Sequence, residues 1–185
     1  MSNIDMRVNG NSFEILSKMD DKSFDMILTD VPYNLDNWQK RTLHNEFIRI
    51  CKGVIIVFSP PENQWILPAD QYLFWIKPIS TKNTSKNYSR FVEMIFLYGK
   101  NVWNSDRHWS QYTNVFWDLV DDAGLHSFRK PPSMIERLIL NHTNEGQSIL
   151  DPFAGSFVVA NVAKKLGRDC MSIELDKELF EKYGK

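Results

Sequence analysis

The chain has 185 residues, enough for one domain with a single sizeable core, and its 43% apolar and 24% charged residues are those of an ordinary globular protein. With 22 Lys and Arg against 23 Asp and Glu the formal charge is −1, which excludes a strongly basic coat that grips nucleic acid without regard to sequence. The wholly apolar runs Val54 to Phe58 and Tyr72 to Ile76 are far too short to span a bilayer, the opening residues lack the basic and apolar stretches of a signal peptide, and Cys51 and Cys170 stand in no metal-ligand spacing, so a reduced, cytoplasmic protein without a membrane partner is expected.

In chain order, short apolar and β-branched stretches alternate with helical ones, the signature of an α/β sheet. Strands are predicted at Met6–Val8, Asp25–Thr29, Val54–Phe58, Tyr72–Ile76, Phe91–Tyr98, Ser148–Leu150 and Cys170–Glu174. The wholly apolar ones suit strands covered on both faces, as in a mostly parallel sheet. Helices are predicted over Ser12–Met19, over Asn37–Lys52 with Gly53 as the stop, over Ser133–His142 after two prolines, over Ser156–Leu166 ending at Gly167, and from Asp176 towards the C-terminus. The stretch from Gly99 to Phe128 has no firm period and reads as a polar, Trp-containing excursion.

Two turns carry chemistry. In the first, the strand Asp25–Thr29 runs into Asp30-Val31-Pro32-Tyr33. In an open α/β sheet, ligands sit at the carboxyl ends of strands, so Asp30 and Tyr33 lie where chemistry is expected. A carboxylate there can accept a hydrogen bond from a base amine, a proline can stiffen the loop, and an aromatic ring can stack on a base.

In the second, Ile149-Leu150 leads into Asp151-Pro152-Phe153-Ala154-Gly155-Ser156 and then a helical pattern. A strand, a glycine turn and an opening helix direct backbone N–H groups at a ligand. Glu174 follows at the end of the next strand, at about the spacing, roughly 20 residues, at which an acidic side chain holds ribose hydroxyls. One glycine serves a pyrophosphate poorly, so a nucleoside without phosphates, such as S-adenosylmethionine, fits the turn better.

Between Lys77 and His108, six basic and two acidic side chains give a local charge of +4, interleaved with Asn, Tyr and Trp. That composition fits a phosphate-contacting surface, for which Lys86, Trp103, Asn104, Arg107 and His108 are the candidates.

Taken together these residues resemble the amino-methyltransferase family of DNA methylases, whose catalytic motif reads Asp/Asn/Ser-Pro-Pro-Tyr/Phe. Here the catalytic motif precedes the cofactor motif, which is similar to the circularly permuted β-type group with its many short phage members. Arg7-Val8-Asn9-Gly10-Asn11-Ser12-Phe13 resembles the segment that meets the cofactor's adenine, with Asn11 in the polar position. His126-Ser127-Phe128-Arg129-Lys130-Pro131 resembles the His-Pro-Thr-Gln-Lys-Pro motif that closes over the methionine end, with Arg129 in place of Gln. Trp75-Ile76-Lys77 with Asn87, Arg90 and Glu93 resembles the segment flanking the target-base pocket.

The resemblance implies one Rossmann-like methyltransferase domain over 1–185, with 99–128 as a short target-recognition excursion. It implies transfer of a methyl group from S-adenosylmethionine to the exocyclic amine of adenine in DNA, leaving S-adenosylhomocysteine and requiring no metal, since the sulfonium is already activated. Asp30, Val31, Pro32 and Tyr33 are then catalytic. Asn11, Ser12, Phe13, Asp30, Lys130, Pro131, Asp151 to Ser156 and Glu174 are expected to bind the cofactor. Asp at position 30 favours adenine, because cytosine-amine enzymes of the family more often carry Ser there. Dimers occur in the family, so a homodimer is compatible with the sequence. Three departures from the family pattern stand out, at Val31, at Phe157 and in the short excursion. Val31 replaces the first Pro of the catalytic motif, a change found in related enzymes. Phe157 stands where the family has a second Gly, and a ring there would narrow the cofactor site. With the short excursion, Phe157 motivates a degenerate methyltransferase fold acting as a DNA-binding or regulatory subunit; a second rival keeps the chemistry but acts on a cytosine amine or on RNA.

Overall fold

A computed structural model describes residues 4–60, 63–65, 67–81, 90–99, 103–119 and 129–185. Eight strands form one sheet: β1 (Asp5–Asn9), β2 (Phe24–Asp30), β3 (Cys51–Ser59), β4 (Gln71–Thr81), β5 (Arg90–Tyr98), β6 (Val115–Phe116), β7 (Ser148–Asp151) and β8 (Asp169–Glu174). Their order is β1-β8-β7-β2-β3-β5-β4-β6. The pairs from β1 through β3 and the β4–β6 pair are parallel, while β5 is antiparallel to both β3 and β4. The fold is the expected α/β, Rossmann-like one with a mostly parallel sheet.

Strand alternation divides the core in two, since successive side chains point to opposite faces. From β2 and β3, Met26, Leu28, Val54, Ile56 and Phe58 face one layer, built from α3 (Pro132–His142) and α4 (Val158–Lys165) with α5 (Lys177–Tyr183) at its margin. Ile27, Ile55 and Val57 face the other, which holds Leu16 of α1 (Ser12–Leu16) and Leu43, Phe47 and Ile50 of α2 (Asn37–Ile50). The central runs Met26–Leu28 and Val54–Phe58 are therefore apolar at every position, because both faces of these strands are covered.

The helix ends follow local chemistry. Asp36 and Gln39 form a reciprocal capping box at the start of α2. That helix ends at Ile50 and β3 begins at once with Cys51, so Gly53 lies inside a strand and does not stop a helix. Its backbone passes close to Gly99: a Cβ on Gly99, at φ +82°, would lie 2.4 Å from the Gly53 carbonyl oxygen, which requires glycine at position 99. The first helix stops at Leu16, short of the expected Met19. Among the described residues no helix is long and apolar enough to cross a membrane.

Phe157 departs from expectation. It precedes α4 in the left-handed region at φ 57°, the conformation a glycine would adopt without strain. Its ring is fully buried, packed edge-to-face on Phe180 with centroids 5.9 Å apart and under the Arg7 guanidinium. The ring thus fills the core beneath α5. It does not line the cavity described below, so the expected narrowing of that site does not occur.

Candidate active site

The two turns singled out in the sequence end neighbouring strands. Met26 and Ile27 of β2 pair with Ile149 and Leu150 of β7, so Asp30 and Asp151 emerge side by side at one edge of the sheet. The Thr29 hydroxyl donates to Asp151 Oδ1 at 2.9 Å and ties the two strand ends together. Here the strand order also diverges: β7 continues to β8 and β1 on one side, β2 to β3 on the other. Such a switch point leaves a crevice between the outgoing loops, which is where ligands bind in open α/β sheets.

The crevice is a cavity of about 830 Å³, bordered by Asn11, Ser12, Phe13, Asp30, Pro32, Phe153, Gly155, Ser156 and Glu174 from the sequence-derived set. Asn34, Leu35, Gln39, Arg129, Leu175, Asp176 and Leu179 complete its lining. Asn11 caps α1 by accepting from the Phe13 N–H, and Ser12 donates to the Pro152 carbonyl, so the two walls are joined. Glu174 spans two loops: its Oε2 accepts from the Gly155 N–H at 2.7 Å and its Oε1 from the Asp176 N–H at 2.8 Å. Gly155 adopts φ +51°, which explains a glycine at that point of the turn.

A smaller cavity adjoins the first and is bordered by Asp30, Lys130, Asp151 and Ser156, among others. Beside it runs a chain of alternating charges. Lys130 Nζ lies 2.5 Å from Asp30 Oδ2 and 2.7 Å from Glu93 Oε1, and Lys77 Nζ lies 2.7 Å from Glu93 Oε2. Glu93 and Lys130 are almost fully buried, while the Asp30 side chain is 28% exposed. The aromatic faces of Phe58 and Trp75 also approach Lys130 Nζ, at 5.2 and 5.8 Å from their centroids. Burial opposes ionisation of Glu93, but Lys130 and Lys77 outweigh it and hold its carboxyl below the usual range. Lys130 is desolvated as well, yet Asp30 and Glu93 keep it charged, well above an ordinary lysine.

Asp30 differs from Glu93. Burial pushes its carboxyl up to about 6, Lys130 pulls it down, and Glu93 adds repulsion. Its Oδ1 is buried without any hydrogen-bond partner. A lone buried carboxylate oxygen is costly unless something donates to it, so the arrangement favours a ligand N–H or O–H at that atom. Asp151 is buried too, pushed up to about 7, with Thr29 and the Phe153 N–H partly offsetting the desolvation.

Several sequence-derived residues stand elsewhere. Val31 is buried in the core on the α2 side of the sheet. Tyr33 is 42% exposed, and its carbonyl accepts from Asn63 Nδ2. Asp151, Pro152 and Ala154 shape the turn without bordering the larger cavity, the Ala154 N–H donating to the Ile173 carbonyl. Pro131 precedes the first residue of α3. Lys130 borders the smaller cavity, and its ammonium lies against two carboxylates.

The described nucleic-acid candidates also make contacts within the protein. Asn104 donates to the Leu140 and Thr143 carbonyls, Arg107 to Asn141 Oδ1, and Trp103 packs against Tyr112 and His142. All three therefore cover the C-terminal end of α3, whereas Asp30 adjoins its N-terminal end; 11 residues of helix separate the two by about 16 Å. His108 caps the short 3₁₀ turn Trp109–Tyr112. Lys86 and Asn87 lie outside the described residues, as do His126 to Phe128. The part played by Glu93 in holding Lys130 was missed, although a glutamate inside the apolar run Phe91–Tyr98 is the kind of signal that could have shown it. Among the described residues no group of three or more His, Cys, Asp or Glu side chains is placed to hold a metal ion.

Comparison with known proteins adds independent findings. A family model described as DNA methylase matches residues 70–185. The Type II methyltransferase M2.DpnII of Streptococcus pneumoniae is 28% identical, with 94% of this chain and 86% of that protein covered. Their alignment extends over 234 positions, more than the 185 residues present here, so that relative carries insertions this chain lacks. The DNA adenine methyltransferase YhdJ of Escherichia coli is 24% identical, covering 94% of this chain and 79% of its own. Among solved structures, the M1.HpyAVI–SAM complex superposes with a TM-score of 0.77 at 21% identity, over 97% of this chain and 98% of that one. The cytosine-N4-specific PvuII DNA methyltransferase superposes at 0.75 with 15% identity, over 96% of this chain and 84% of its own. At those identities the superpositions establish a shared fold.

Proposed function

We propose, from the premise that this chain belongs to the DNA methylase family, that it transfers a methyl group from S-adenosylmethionine to the exocyclic amine of adenine in DNA. The observation that carries this reading is the unpartnered Oδ1 of Asp30 at the edge of a cavity that also holds Glu174 and the Gly155 turn. The cavity volume of about 830 Å³ lies within the range of small-ligand sites, and its carboxylates suit a ligand that carries positive charge.

An exocyclic amine is a weak nucleophile because its lone pair is delocalised into the base. In this reading Asp30 Oδ1 accepts one amine N–H, which turns the lone pair out of the ring plane. Lys130 holds Oδ2 and so fixes the plane of the carboxylate, which keeps Oδ1 aimed. The Val31 or Pro32 carbonyl supplies a second acceptor, and Tyr33, exposed at the end of the same loop, offers a face for the base. When the N–C bond forms, the amine sheds a proton, and Asp30 takes it.

Glu174 accepts from the ribose hydroxyls, and Asn11, Ser12 and Phe13 flank the adenine of the cofactor. Bound there, S-adenosylmethionine supplies a methyl group on an activated sulfonium. We read residues 1–185 as one methyltransferase domain on this basis. Asp at position 30 supports adenine over cytosine, as does the named activity of the Escherichia coli relative. The reading of a degenerate, non-enzymatic subunit loses one of its two motives, because Phe157 does not border the cavity.

The test is sequencing-based detection of modified bases in DNA from cells expressing the chain. N6-methyladenine at a recurring sequence supports the proposal. N4-methylcytosine alone would overturn the choice of base, and unmodified DNA would overturn the enzyme.

A further inference from the structure

Arg129 and Lys130 are adjacent cations with opposite fates. Lys130 is saturated by Asp30 and Glu93. Arg129 borders both cavities, yet makes no hydrogen bond or ion pair among the described residues, and its Nε is buried without a partner. A buried guanidinium N–H left unsatisfied costs free energy, so the site is completed by an acceptor that arrives with a ligand. Among the described residues Arg129 is also the one basic side chain on the wall of the larger cavity, whose other charged residues are Asp30, Glu174 and Asp176.

A ligand that matches this wall carries positive charge for the carboxylates and one anionic group for Arg129. S-adenosylmethionine has that pattern: a sulfonium, an ammonium and a single carboxylate. We propose that the Arg129 guanidinium holds the carboxylate at the amino-acid end of S-adenosylmethionine. The proposal rests on the reading of the cavity as a site for that cofactor. It gives this chain a charged anchor where the family motif carries an uncharged Gln. A planar fork of N–H donors suits a carboxylate, which accepts on two oxygens.

The test is calorimetric binding of S-adenosylmethionine and of its decarboxylated analogue to the wild-type protein and to Arg129→Ala, Arg129→Gln and Arg129→Lys, each checked for an unchanged thermal transition. The wild type is expected to bind the parent compound about 10- to 100-fold more tightly than the analogue, the range of a charge-assisted hydrogen bond. Arg129→Ala and Arg129→Gln are expected to weaken the parent by a similar factor and to erase the preference. Without Arg129 the analogue, which has lost its negative charge, meets an acidic wall and binds at least as well as the parent. Arg129→Lys is expected to restore part of the preference. A wild type that binds both compounds within twofold, or an Arg129→Ala that still prefers the parent, would overturn the proposal while leaving the cofactor reading intact. Failure of the wild type to bind either compound would remove both. Loss of DNA affinity in Arg129→Ala with cofactor preference retained would assign the guanidinium to a phosphate instead.

Discussion

Lys130 Nζ sits 2.5 Å from Asp30 Oδ2 and leaves Oδ1 of the same carboxylate without a partner. One oxygen is thus fixed and the other waits for a donor. Lys130 is itself held from behind by Glu93, so the position of the Asp30 carboxylate depends on a side chain that borders neither cavity.

Removing the middle of this chain exposes its cost. Lys130→Met leaves Glu93 with Lys77 alone and Asp30 with no counter-charge, and breaking a buried pair in this way costs roughly 3–5 kcal/mol. The expected outcome in urea denaturation is a loss of that size, with part of it recovered in Lys130→Met/Asp30→Asn, because the second change removes the stranded charge. A double variant no more stable than the single would show that the two residues do not act as a pair.

Acid should silence the reaction before it unfolds the protein. Asp30 is an acceptor only when ionised, and its carboxyl is pushed up to about 6, chiefly by burial. The profile of kcat/KM, which reports the free enzyme, is expected to fall on the acid side with a midpoint near that value. The limb of kcat should lie lower, since a sulfonium near the carboxylate favours its charged form. An acid limb of kcat/KM near pH 4 would mean that Asp30 titrates as an ordinary carboxylate and that its burial does not govern the chemistry.

Phe157→Gly separates packing from site geometry. Glycine relieves a left-handed conformation that costs a non-glycine residue about 1–2 kcal/mol, but it deletes a fully buried ring set against Phe180 and Arg7. Losing such a ring costs about 3–5 kcal/mol, so net destabilisation is expected in thermal unfolding. Affinity for S-adenosylmethionine should change little, because the ring does not border the cavity. A marked gain in affinity would return Phe157 to the site.

Asp151 makes a prediction about stability. Its carboxyl is buried and pushed up to about 7, above the 3.8 of an unfolded chain. Across that window the folded state holds a proton that the unfolded state has released, so stability falls as pH rises through it. The slope amounts to roughly 4 kcal/mol at most from this residue. In Asp151→Asn the decline between about pH 4 and 7 should flatten, with a residual slope of the same sign from Asp30. Unchanged pH dependence of the thermal transition would show that Asp151 stays ionised in the fold.

The sequence was informative where local chemistry decides the outcome and silent where distant residues do. The apolar runs of β2, β3 and β7 announced strands covered on both faces, and their ends placed Asp30 and the Gly155 turn at one edge of the sheet. β6 was invisible, because two residues become a strand only by pairing with Phe74 and Trp75. The helix after the glycine turn was expected from Ser156 but begins at Val158, since Phe157 takes a left-handed conformation that no local pattern announces. The charge chain escaped as well. Lys130 and Asp30 are 100 residues apart, and only the fold shows that Lys130 answers to two carboxylates and, among the described residues, Arg129 to none.

The central claim is that the free oxygen of Asp30 engages a base amine during methyl transfer. The most direct measurement is mass spectrometry of nucleosides from DNA incubated with S-adenosylmethionine and either wild-type protein or Asp30→Asn, with cofactor affinity measured in parallel. The account predicts N6-methyladenine with the wild type, a loss of about 10²- to 10⁴-fold in its formation with the variant, and cofactor affinity within a few-fold. N6-methyladenine formed by Asp30→Asn at the wild-type rate would contradict it.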